Sequence, residues 1–326
     1  MKKNLQNVLL SLISIALTFL AFELFLYLNH FSPDYERYKL VLNDVKLTFN
    51  DDPDVYFKDD NKYKTIFLGD SFTVGEVCAH DKRDFVNLIK SKHEDNDNHI
   101  YNFGSLGISP SDMINIYDYL KKGDFNQLVI VLYYNDIFLS HQTCENLKNF
   151  KNNNIPKVAV CDKILRKTED SSSNTKLKKL DNFLETNFFT WQLVKQSLAN
   201  SPYFSKFYSR SEWRNLYQNA ESEEFKLLLN ILIYFKKESQ QSNFNLVFTY
   251  FPDVNYINSD NPLHEDWLSF INVAKQENII IHDPWEFFLG NTTKQDLTWS
   301  LTDDHPNCDA HKLMYDYIDK NLINFN

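Results

Sequence analysis

At 326 residues the chain can bury one sizeable core, with room for a smaller appendage. Its 43% hydrophobic and 24% charged content is ordinary for a globular protein. A net charge of −10 excludes a general nucleic-acid binder, which would carry a basic footprint, so no nucleic-acid partner is expected.

Lys2 and Lys3 precede a 21-residue apolar run from Val8 to Leu28, interrupted only by Ser11, Ser14, Thr18 and Glu23. A helix of that length reaches roughly 30 Å, enough to cross a bilayer. Glu23 is the costly member, and it lies near one end of the run. A cleaved signal peptide has a shorter apolar region, about 7–15 residues, followed by a small-residue cleavage site. Tyr27-Leu28-Asn29-His30 offers no such site. The sequence therefore predicts an uncleaved single-pass anchor over residues 1–30. Basic residues ahead of it place the amino end in the cytoplasm and all that follows outside, in the periplasm or at the cell surface.

Residues 31–60 are polar, mixed in charge and carry Pro33 and Pro53. They read as a stalk with one edge strand. Thr65 to Leu68 is then a short apolar run, as expected for a buried strand of a parallel sheet. Gly69 breaks it, Asp70 and Ser71 follow, and Gly75 comes soon after. A hydroxyl placed where a strand stops sits at the carboxyl edge of a sheet, where open α/β folds hold their ligands. Ser71 is thus the candidate nucleophile. To act, it needs a base, an orienting acid and an oxyanion pocket.

Helical spacing predicts a helix near 83–93, and Ile100 to Phe103 is a second strand, running into Gly104-Ser105-Leu106-Gly107. Ser109-Pro110-Ser111 marks a helix start, with Met113, Tyr117 and Leu120 on one face. Leu128 to Tyr133 is the clearest buried strand, and Asn135-Asp136 closes it. Between 137 and 220 the alternation breaks, over a span too long for an ordinary connection. That span reads as a partly helical insertion, either a substrate-selecting lid or a decoration away from the site.

The pattern resumes with a helical stripe of Phe225, Leu228, Leu229, Leu232 and Phe235, a strand at Leu246 to Tyr250, and a helix over roughly 264–275. A strand at Ile279 to Ile281 follows, and a closing helix carries Leu313, Met314, Tyr317, Ile318 and Leu322. Five short strands separated by helices imply a largely parallel, three-layer α/β/α sheet over residues 61–326.

His305 lies just ahead of the closing helix, beside Asp303 and Asp304 and followed by Pro306. A loop there can bring an imidazole to the edge that carries Ser71. A carboxylate on its far nitrogen would fix the tautomer, and both aspartates are candidates. Alternation along an extended segment favours Asp303. Oxyanion donors are at hand in the Ser71 backbone N–H, the Gly107 N–H and the Asn135 amide, the last two following the second and third strands onto the same edge.

Gly69-Asp70-Ser71-Phe72, Asn102-Phe103-Gly104-Ser105-Leu106-Gly107, Asn135-Asp136 and Asp303 to Asn307 occur in one order along most of the chain outside the anchor. In these four blocks the sequence resembles the SGNH/GDSL hydrolases. The resemblance implies a flavodoxin-like fold. It implies Ser71 as nucleophile, His305 as base, Asp303 as its acid, and Ser71, Gly107 and Asn135 as oxyanion donors. Members are mostly esterases that remove acyl groups from glycans or lipids, and some relatives transfer acetyl groups onto surface polysaccharides. The expected partner is therefore an acylated glycan or lipid. The expected activity is esterase, with an O-acyltransferase or a non-catalytic glycan-binding protein as alternatives. Asp70 belongs to the first block as a turn-stabilising residue. Two departures stand out. Tyr134 occupies the place of the usual glycine, which would narrow the pocket. Thr302 stands three residues before the histidine, where many members have the acid, so the choice between Asp303 and Asp304 stays open.

Cys144 and Cys161 bracket part of the insertion and are expected to close a loop, as an outside location permits. Cys78 and Cys308 follow Ser71 and His305 closely enough for the fold to join them as well. The histidines lack metal-ligand spacing, so neither metal nor organic cofactor is expected.

Overall fold

The computed structural model describes residues 38–42, 45–58, 62–76, 78–94, 97–137, 139–148, 161–165, 216–254, 257, 262–291, 297–300 and 303–323, together with Ser14, Thr18 and Ala21. The chain divides into two compact units. One comprises residues 1–34 and 172–209, of which only Ser14, Thr18 and Ala21 are described, all helical and exposed. The expected anchor thus falls almost wholly outside the described residues. Among those described, no helix is long and apolar enough to cross a membrane. The other unit, residues 35–171 and 210–326, holds everything that follows.

It opens with an antiparallel hairpin, β1 (Tyr38–Leu42) and β2 (Val45–Phe49), and a short helix α1 (Pro53–Lys58). This departs from the stalk expected over 31–60. Leu47, Phe49 and Tyr56 are fully buried, Asn50 Nδ2 donates to the Val74 carbonyl at 2.7 Å, and the Asn102 N–H donates to Asp51. The polar residues that suggested solvent instead satisfy backbone groups of the short helix ending at Val74 and of the strand ending at Asn102.

The central sheet is formed by β3 (Tyr63–Gly69), β4 (Asn98–Asn102), β5 (Gln127–Leu132), β6 (Asn245–Tyr250) and β7 (Ile281–His282). All neighbours are parallel, in the order β4-β3-β5-β6-β7. β5 is buried along its whole length, which is why it reads as an unbroken apolar run: helices cover both faces. β4 lies on one side of β3 and β5 on the other, so the winding reverses at β3. Ligands of such sheets bind in the crevice beyond the carboxyl ends of the strands at that reversal.

The helices are α2 (Ser71–Val74), α3 (Phe85–His93), α4 (Pro110–Leu120), α5 (Ser140–Lys148), α6 (Glu223–Ser242), α7 (Pro262–Gln276), α8 (Trp285–Asn291) and α9 (Cys308–Asn321). Their starts follow capping chemistry. The Asp84 carboxylate accepts from the Asn87 N–H, the Ser222 hydroxyl accepts from the Phe225 N–H, and Asp112 reaches back to the Ser109 N–H at 2.8 Å. The α6 stripe of Phe225, Leu228, Leu232 and Phe235 is buried, with α6 packed on α4 and α5, while α9 packs on α3 and α8. Of the insertion, α5, residues 161–165 and the return segment from Leu216 are described, and Cys144 is bonded to Cys161. Residues 149–160 and 166–215, most of the span read as either a lid or a decoration, lie outside the described residues.

Residues 303–306 differ from the polar loop expected of them. They form β9 (Asp303–Pro306), paired antiparallel with β8 (Thr298–Ser300).

Candidate active site

β3 ends at Gly69, and the chain turns directly into α2. The turn is tight because a Cβ on Gly69 would press the Val131 carbonyl of β5 at 2.6 Å and the Thr73 hydroxyl. Asp70 caps the new helix, its side chain accepting from the Phe72 N–H at 3.0 Å. Ser71 is thereby set as the first residue of α2, half-buried at the carboxyl edge.

β9 brings His305 to the same place from the far end of the chain. His305 Nε2 lies 2.9 Å from Ser71 Oγ, a hydrogen bond between groups 234 positions apart. Three features hold the imidazole. Its ring stacks on Phe72 with centroids 5.2 Å apart, and Phe72 stacks in turn on Tyr133 at 3.7 Å. Asn307, two residues on, fixes the start of α9 by accepting from the Asp309 and Ala310 N–H groups. Cys308 is bonded to Cys78, just past the nucleophile turn.

β9 is extended, but the irregularity opposite Trp299 interrupts simple alternation between residues 303 and 305. The side chains of Asp303 and Asp304, the two candidate acids, lie outside the described residues. His311, on α9, is stacked on Phe85 at 5.9 Å and fully enclosed. Burial, with the charge of His305 adding to it, pushes its pKa down to about 3, so it stays neutral and leaves base chemistry to His305.

The other two expected oxyanion donors, besides the Ser71 N–H, flank β3 on that edge. Gly107 follows β4 in the left-handed region, φ 64°, with open space where a side chain would stand. Asn135 follows β5 in a 3₁₀ turn, Tyr134–Asp136. Its Oδ1 is buried without a hydrogen-bond partner among the described residues, an unpaired polar group of the kind that concentrates at functional sites.

Asp136 was read only as the close of the strand, yet it is buried and accepts from the Tyr133 N–H at 2.8 Å. Burial, and after it the charge of Asp70, pushes its carboxyl well above the carboxylate range. Burial likewise raises Asp70 to about 6, against the pull of the Phe72 N–H and of the His305 charge. Two buried acids that repel one another therefore stand at the turns that carry Ser71 and Asn135. Phe72 and Tyr133 are the other contributors that spacing alone did not reveal.

Tyr134 corrects one expectation. It does not narrow a pocket but is wholly buried, its ring edge-on to Trp267 at 5.4 Å and to Tyr250 at 5.8 Å. Its carbonyl accepts from the Tyr217 hydroxyl at 2.9 Å, which ties the returning end of the insertion to the Asn135 turn. Asp283, beyond β7, accepts from Tyr250 OH at 2.6 Å and from the Trp285 N–H at 2.8 Å, with His264 at 3.2 Å, in a structural network.

No protein-family model and no curated protein matches the chain. Among solved structures it is similar to an acetyl xylan esterase, at 13% identity over 80% of this chain and 100% of that one, TM-score 0.40. It is also similar to a member of the lipolytic G-D-S-L family from Veillonella parvula, at 13% identity over 80% and 98% of the two chains, TM-score 0.40. A catalytic mutant of an acetylxylan esterase from Geobacillus stearothermophilus is similar at 13% identity, over 82% and 97%, with the same TM-score of 0.40. The Ser71–His305 pair and the sheet edge beneath it stand independently of these likenesses.

Proposed function

We propose that this chain is a serine esterase of the SGNH/GDSL kind, acting on O-acyl esters of an envelope glycan or lipid. One observation carries the reading: a hydroxyl at the end of β3 and an imidazole on β9 meet at 2.9 Å, at the point of the sheet where ligands bind.

In this reading Ser71 Oγ attacks the ester carbonyl while His305 Nε2 takes its proton. The oxyanion is met by the Ser71 and Gly107 N–H groups and the Asn135 amide. His305 then protonates the leaving alkoxide, and water, deprotonated by the same nitrogen, releases the acid from the acyl-enzyme. Asp303 is assigned as the acid that orients His305, with Asp304 as the alternative. The apolar run at 8–28 is assigned as a single-pass anchor that leaves this unit outside the cytoplasm.

Ser71→Ala should abolish hydrolysis of 4-nitrophenyl acetate, and a serine-directed fluorophosphonate should label the parent protein but not the variant. Turnover that survives the substitution would remove the nucleophile assignment, and the esterase reading with it.

A further inference from the structure

β8, the strand paired with the one that carries the base, holds an exposed aromatic. Leu297 and Thr298 are 3% and 8% exposed, whereas Trp299 is 53% exposed. Thr298 pairs with Pro306 and Ser300 with Asp303, with an irregularity between the two pairs. One residue of β8, Trp299, therefore stands across from two of β9, Asp304 and His305. Thr298 and Pro306 are both buried, so the pair turns that side toward the core. Trp299 falls on the other side, with half-buried His305. The backbone register thus sets Trp299 across the strand pair from the residue whose imidazole reaches Ser71.

The remaining exposed large apolar side chains among the described residues are Tyr38, Val55, Ile280 and Leu289. They stand on β1, on α1, ahead of β7 and on α8, none of them on a strand paired with β9. The location of Trp299 therefore calls for its own explanation. Two substrate chemistries compete for it. An acyl chain is best held in a concave apolar cleft that closes round it. An open, electron-rich indole suits a flat partner with weakly positive C–H groups on one face and hydroxyls turned to water. A pyranose ring has that form, and an ester on one of its hydroxyls would lie beside the ring, toward the dyad.

We propose that Trp299 is the stacking platform for the sugar ring that bears the ester, which makes the substrate an O-acylated glycan rather than an acylated lipid. This rests on the esterase reading above and narrows it.

The test compares methyl hexoside and pentoside acetates with triacetin, which carries the same acyl group on an open chain. The parent enzyme should show the higher kcat/KM on the pyranosides. Trp299→Ala should raise KM on the pyranosides about tenfold more than on triacetin, and Trp299→Phe should recover most of that difference. Thermal melting of the variants would show that the fold is intact. A parent enzyme that favours triacetin, or a variant that loses both substrates by one factor, overturns the platform and leaves the esterase standing. Turnover of both substrates by Ser71→Ala would instead overturn the esterase.

Discussion

Cys78 and Cys308 are joined by a disulfide across 230 positions of sequence, one just past the nucleophile and the other just past the base. The bond ties together the two turns whose spacing sets the 2.9 Å contact between Ser71 and His305. The rest of α9 is held independently by its packing on α3 and α8.

The double variant Cys78→Ser/Cys308→Ser should therefore still fold, with stability lowered by about 2–4 kcal/mol. Its kcat on an aryl acetate, measured well below the melting temperature, should fall by more than about tenfold, because a misplacement near 1 Å is enough for that. An unchanged kcat would show that the ring stack and the sheet hold the pair without the disulfide.

Phe72 separates the imidazole from Tyr133 and sets its plane. Phe72→Leu keeps apolar volume but removes the flat face. Activity should drop by about tenfold or more, with KM moving less than kcat, since substrate binding is not what the ring supports. Phe72→Ala should add a folding cost of about 3–5 kcal/mol, readable by urea titration.

The raised pKa of Asp70 has a signed consequence for stability. Below pH 3.8 the carboxyl is protonated in both the folded and the unfolded chain. As pH rises toward about 6 the unfolded chain ionises first, so the folded state loses relative stability, and the loss is complete above that value. Asp70→Asn keeps a side-chain oxygen for the helix cap and removes this part of the decline. The slope of stability against pH between 3.8 and about 6 should become shallower, by on the order of 2–3 kcal/mol over the window. It should not vanish, because Asp84 is raised to about 6 by burial in the same sense. A slope identical to the parent's would show that Asp70 titrates as an ordinary surface carboxylate.

Asn135→Ala should cost roughly 10²–10³-fold in kcat if its amide meets the oxyanion. Asn135→Asp should be worse, since a carboxylate there repels the charge that develops on the carbonyl oxygen. Pre-steady-state acylation rates would separate this from slower product release.

Strand positions were legible because β3, β5 and β6 are short, mainly apolar runs closed by Gly69, Asn135 and Pro252, as a parallel sheet covered on both faces favours. Ser71 was legible because it follows the Gly69 break, and His305 because it stands just ahead of the closing helix. What escaped depends on partners distant in sequence. Tyr134 reads equally as a pocket wall or as core until Trp267 and Tyr250 are seen packed on it. Asp51 and Asn50 look like stalk residues until they bond Asn102 and Val74. The polar string at 303–306 hid a strand, because its pairing with β8 is set by backbone hydrogen bonds, not by an apolar pattern.

The hydrogen bond from Tyr217 to the Tyr134 carbonyl has a practical side for anyone grafting segments onto this scaffold. Tyr217, just beyond residues 166–215 in the sequence, is moored one residue from Asn135. An exchange of that stretch that keeps the phenol at 217 inherits the mooring. A shortened graft that loses it would release the strand end that positions the amide, and would be misread as a failure of substrate choice.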